Sequence, residues 1–84
     1  MPRTKLGRDP AVERAEFRRR LIESKAASRG VRTSTELAKR LKISRSGMSE
    51  RLSGNRRFTL DEIMLLDAAL RFDAEELAKL VRGK

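Results

Sequence analysis

The sequence predicts an all-α protein, a compact bundle of five helices, on three observations. Helix start signals recur along the chain: Asp9-Pro10, then the strings Thr33-Ser34-Thr35-Glu36, Thr59-Leu60-Asp61-Glu62 and Asp73-Ala74-Glu75-Glu76, in which a short polar side chain and an acid three residues on can satisfy each other's free amides. Apolar residues behind each signal return at three- and four-residue spacing, the period of one helix face. No segment alternates apolar and polar residues as a half-buried strand does.

In chain order, the first helix takes Asp9 as N-cap and Pro10 in its first turn, where the missing N–H has no helical partner to lose. It runs through AVERAEFRRRLIESKAASR to Gly30. Phe17 and Leu21 form an i,i+4 pair beside Ala15, Ile22 and Ala26. Thr33 and Glu36 predict a capping box opening a short helix, Ser34 to Lys42, that carries Leu37, Ala38 and Leu41. Ser44 caps a third helix, about 45–53, stapled by Ile43 and Met48 and stopped at Gly54-Asn55. Thr59 and Glu62 open the helix LDEIMLLDAALRF, with Ile63, Leu66 and Leu70 on one face and Met64 beside them in the core. Asp73 and Glu76 open the last helix, with Leu77, Leu80 and Val81. Such short connections suit one all-α domain over residues 9–82. Residues 1–8 read as a flexible basic arm, and Gly83 and Lys84 as a disordered end.

Composition narrows the function. The 84 residues contain no cysteine and no histidine, which removes thiolate sites, the commonest metal ligand and the commonest general base. An enzyme is not expected, nor a metal or other cofactor. No apolar run reaches membrane-spanning length and the N-terminus lacks the apolar core of a signal peptide, so a cytoplasmic protein is expected. The net charge is +9 and unevenly spread. Through Arg57 there are 17 Lys/Arg against 6 Asp/Glu, and from Phe58 onward 4 against 6. A basic front on a neutral-to-acidic back points to a polyanion. Three Phe without Tyr or Trp give little stacking surface for single strands, which favours duplex.

Two short helices joined by a tight turn, pinned by Leu37, Ala38, Leu41, Ile43 and Met48, form the pattern of a helix-turn-helix at about 34–53, whose second helix enters the major groove. The stretch TSTELAKRLKISRSGMSERLSGNRRFTLDEIMLLDAALRFDAEELAKL resembles the Cro/C1-type (XRE-like) helix-turn-helix domain of phage repressors and related bacterial regulators. ELAKRL, ISRSGMS, LSGNRR and the two closing helices carry the resemblance in order. It implies a lambda-repressor-like bundle. Lys42 stands where the family often has glycine, Ser34 where it often has glutamine, and Arg51 at an expected apolar position.

The resemblance places base-reading roles on Arg45, Ser46, Ser49 and Glu50. Arg45 can fork onto guanine, Glu50 can accept from cytosine or orient an arginine, and the serines suit bases or phosphate. Gly47 reads as a bare spot that lets the backbone approach the groove. Phosphate contacts are expected from Thr33, Ser34 and Thr35 at a helix start, from Arg32 and Lys39, and from Asn55, Arg56 and Arg57 beyond the recognition helix. Arg3, Lys5 and Arg8 of the arm are further candidates. The expected function is a sequence-specific double-stranded DNA-binding regulator, Cro-like or repressor-like, acting as a homodimer through Leu77, Leu80 and Val81 and open to contact with RNA polymerase. The competing readings are an antitoxin or adaptor whose main partner is a protein, and a non-specific nucleoid coat.

Overall fold

A computed structural model describes residues 9–84 and places five helices in order: α1 (Pro10–Arg29), α2 (Glu36–Leu41), α3 (Arg45–Ser53), α4 (Leu60–Leu70) and α5 (Ala74–Arg82). No strand occurs among the described residues. The arm, with Arg3, Lys5 and Arg8, lies outside them.

Four of the five start signals act as their chemistry predicts. Asp9 accepts a hydrogen bond from the Ala11 amide at 2.9 Å, and Ser44 accepts from the Gly47 amide at 3.0 Å. The Thr59–Glu62 and Asp73–Glu76 capping boxes are complete, each side chain accepting from the other residue's amide. The box expected at Thr33–Glu36 does not form. The Glu36 carboxylate reaches back four residues, accepting from the Arg32 amide at 3.0 Å, while the Glu36 amide donates to the Arg32 carbonyl. Residues 33–35 make a turn, Thr35 is the N-cap without a side-chain bond, and α2 begins at Glu36 rather than Ser34. α4 ends at Leu70, two residues early: Arg71 adopts a left-handed φ of 57°, and Phe72 turns into the core.

Every helix contributes to one core. Ile22 and Ala26 come from α1, Leu37, Ala38 and Leu41 from α2, and Met48 and Leu52 from α3. Ile63, Leu66 and Leu70 of α4 and Leu80 of α5 complete it with Phe72. Burying a side chain of this size stabilises by about 1.5–3 kcal/mol. Phe17 and Leu21 are only half-buried, so Ile22 and Ala26 form the deep face of α1. Met64, expected inside, is 63% exposed because α4 turns its 63/66/70 face inward. Gly83, expected in a disordered end, is the buried left-handed C-cap of α5. It lies so close to α1 that a Cβ there would approach Arg14 Cβ to 2.7 Å.

A polar seam runs beside this core. Arg18 of α1 donates Nε to the Leu80 carbonyl and Nη2 to the Val81 carbonyl, both at 2.9 Å. Arg29 donates to the carbonyls of Leu70 at 3.0 Å and Arg71 at 3.2 Å. Between them Lys25 pairs with Glu76 at 2.7 Å. Positions 18, 22, 25 and 29 share one helix face. α1 thus satisfies terminal carbonyls that a helix leaves without partners, and puts positive charge at the negative ends of α4 and α5.

Candidate nucleic-acid interface

The α2–turn–α3 unit is held by its apolar undersides, Leu37, Ala38 and Leu41 against Met48 and Leu52, all buried. The turn passes through Lys42 in the left-handed region, at φ 59°. That conformation frees the Ile43 amide to bond the Ala38 carbonyl at 2.9 Å and reverses the chain in three residues. With Met48 and Leu52 facing inward, Arg45, Ser46, Ser49, Glu50 and Ser53 are all exposed. They fall at i, i+1, i+4, i+5 and i+8, one continuous outer face. Arg45 and Ser49 make no side-chain bond within the described residues. Ser46 Oγ lies 3.2 Å from Ser44 Oγ. Glu50 lies 3.4 Å from Arg56, so of the two roles open to it, orienting an arginine is the one with a partner in place.

Gly47 is not a bare spot on that outer face. It is half-buried, and a Cβ there would meet Ser44 Oγ at 3.1 Å and an Arg51 nitrogen at 3.2 Å. Its missing side chain leaves room for the cap of α3 and for a guanidinium. That guanidinium belongs to Arg51, which stands where an apolar residue is expected. It forks onto Glu62, Nε to Oε1 at 2.9 Å and Nη2 to Oε2 at 3.1 Å, and donates Nη1 to the Gly47 carbonyl at 2.9 Å. Both partners are nearly enclosed, at 11% and 12% side-chain exposure. Glu62 Oε1 also accepts from the Thr59 amide at 3.0 Å, so one carboxylate joins the end of α3 to the start of α4. Arg51 is therefore a brace between α3 and α4.

Among the phosphate candidates, Arg32, Lys39, Asn55, Arg56 and Arg57 are exposed. Ser34 is exposed, Thr33 and Thr35 are half-buried, and none of the three hydroxyls is bonded within the described residues. Because α2 is six residues long and starts at Glu36, they occupy a turn before the helix rather than its first residues.

Sequence reasoning missed Arg14. It lines a groove of about 430 Å³ with Arg18, Arg56, Arg57, Phe58 and Val81, and no acidic residue contributes to that lining. Burial, then the charges of Arg14 and Arg57, lower the pKa of Arg18 from its usual value. Gly54 makes the juxtaposition possible. It has a left-handed φ of 90°, and a Cβ would approach Ala15 Cβ to 2.7 Å, so the segment after α3 lies directly on α1. The i,i+4 spacing of Arg14 and Arg18 is the only trace of this in the sequence.

The apolar α5 surface expected to join two copies is not there. Leu80 is fully buried and Leu77 packs against the core, leaving Val81, 54% exposed. α5 spends its apolar stripe on its own bundle. Among the described residues, no group of three or more His, Cys, Asp or Glu could hold a metal, and no helix is long and apolar enough to cross a membrane. The chain matches no protein-family model, no curated protein and no solved structure, and its functional reading therefore rests on fold and surface chemistry.

Proposed function

We propose that this chain is a sequence-specific double-stranded DNA-binding regulator of the Cro/C1 helix-turn-helix type, on a lambda-repressor-like bundle. The observation that carries the reading is the outer face of α3: Arg45, Ser46, Ser49 and Glu50 exposed in one row, flanked by Arg56, Arg57 and Arg14. An α-helix about 10–12 Å across with its side chains fits the major groove, which is about 12 Å wide. Arg45 at its N-terminal end reaches base edges, and a fork onto guanine O6 and N7 is worth about 1–3 kcal/mol of discrimination. Arg56, Arg57, Arg14, Arg32 and Lys39 hold phosphates and set the register, with Asn55 beside them. One such helix reads few base pairs, so two copies on two half-sites about 34–36 Å apart are the expected bound form.

Selection of bound duplexes from random sequence, followed by titration of the winner and of a scrambled duplex, tests the proposal. Arg45→Ala should weaken the selected site about tenfold or more and leave the scrambled duplex nearly unchanged. Equal weakening on both would reduce the protein to an electrostatic coat. No enrichment of any sequence would remove the regulator reading altogether.

A further inference from the structure

The face of α4 turned away from the core carries Asp61, Met64, Leu65 and Ala68, at i, i+3, i+4 and i+7, all exposed. Leu60 flanks it at 72% exposure, Met64 is 63% exposed and Leu65 38%. An apolar stripe at this spacing is what a helix normally lays against another helix, and no element among the described residues covers it. Its two ends carry opposite charges. Asp61 sits in the first turn, Arg71 just past the last, both exposed and neither in an ion pair within the described residues.

We infer that this face is a self-association surface, on which α4 packs antiparallel against α4 of a second copy. A two-fold axis requires that if one residue meets a second across the interface, the second meets the first. Asp61 and Arg71 have their midpoint at position 66, and so do Met64 and Ala68. One axis at that point therefore sets each acid against the partner's base and each methionine against the partner's smallest side chain, where the helices approach most closely. The antiparallel order also places the positive end of each helix dipole beside the negative end of the other. α4 is only 11 residues long, and its face falls short of the roughly 1,200–2,000 Å² that stable complexes bury, so the dimer is weak and concentration-dependent. The inference concerns the protein alone and does not depend on DNA recognition.

Sedimentation of the full chain across a wide concentration range tests it, with circular dichroism to confirm folding of each variant. The wild type should move from monomer to dimer, and Met64→Glu should stay monomeric, its site being exposed enough to leave the fold intact. Asp61→Arg and Arg71→Asp should each raise the dissociation constant several-fold, since each places like charges together twice per dimer. Together they should restore it toward the wild-type value, a rescue that a merely structural role for either residue would not produce. A wild type that remains monomeric at the highest concentration overturns the inference. So does a dimer that Met64→Glu leaves intact, or single charge variants that the double variant does not rescue.

Discussion

At the scale of single residues, Arg51 and Glu62 link the end of α3 to the start of α4. Burial alone would raise the Glu62 pKa, but the hydrogen bonds from Arg51 and from the Thr59 amide outweigh it and hold the carboxyl below its usual value. A carboxylate with a depressed folded-state pKa contributes stability that is complete above its unfolded value, about 4.3, and lost as pH falls through the folded value. Glu76, lowered by its hydrogen bonds from Lys25 and the Asp73 amide against a smaller effect of burial, acts in the same direction. Urea denaturation should therefore show stability falling from about pH 5 toward pH 3. Glu62→Gln should lose about 2 kcal/mol at neutral pH and show a shallower acid slope, with the Glu76 part retained. An unchanged slope would mean that the brace does not titrate. Arg51 was legible as an anomaly in the sequence, but its partner was not, because nothing local marks Glu62 as anything beyond a capping residue.

At the scale of elements, the helices end where glycine or a left-handed residue stops them, and two of those stops are costly. Lys42 and Arg71 hold φ of 59° and 57°, a region that costs a side-chain-bearing residue about 1–2 kcal/mol. Glycine removes that strain but loses about 0.5–1 kcal/mol in the entropy of the unfolded chain. Lys42→Gly should therefore stabilise by about 0.5–1 kcal/mol and raise the thermal midpoint without altering the denaturant slope. A lower midpoint would show that the Lys42 side chain contributes more than its strain costs. The starts of α1, α3, α4 and α5 were legible because each cap bonds an amide two or three residues on, with a reciprocal acid at α4 and α5. The start of α2 was not. Thr33 and Glu36 have the spacing of a box, yet the Glu36 amide bonds the Arg32 carbonyl instead of the Thr33 hydroxyl, and the acid reaches one residue further back. Residue types alone do not distinguish those two outcomes.

At the scale of the whole molecule, α1 closes the bundle and brings Arg14 beside Arg57, so that the cationic surface extends from the end of α3 onto a distant helix. If these arginines hold phosphates, Arg14→Ala and Arg57→Ala should each reduce the slope of log affinity against log salt by about 1, on any duplex sequence. An unaltered slope for Arg14→Ala would confine the contact surface to α3 and the segment after it. By itself the sequence determined the helical class, most helix ends and the buried sides of α2 and α3, which depend on periodicity and on bonds between residues a few positions apart. The row Arg45, Ser46, Ser49 and Glu50 was placed by the family resemblance, and the structure adds that all four are exposed. Only the tertiary structure decided that Gly47 makes room for Arg51, that Leu80 is consumed by the core while Met64 is left outside, and that Arg18 and Arg29 serve as caps for α5 and α4. Each of these depends on which face of a helix meets which neighbour, and the deciding partners, Glu62 for Arg51 and the α5 and α4 carbonyls for Arg18 and Arg29, lie too far along the chain for spacing to show them.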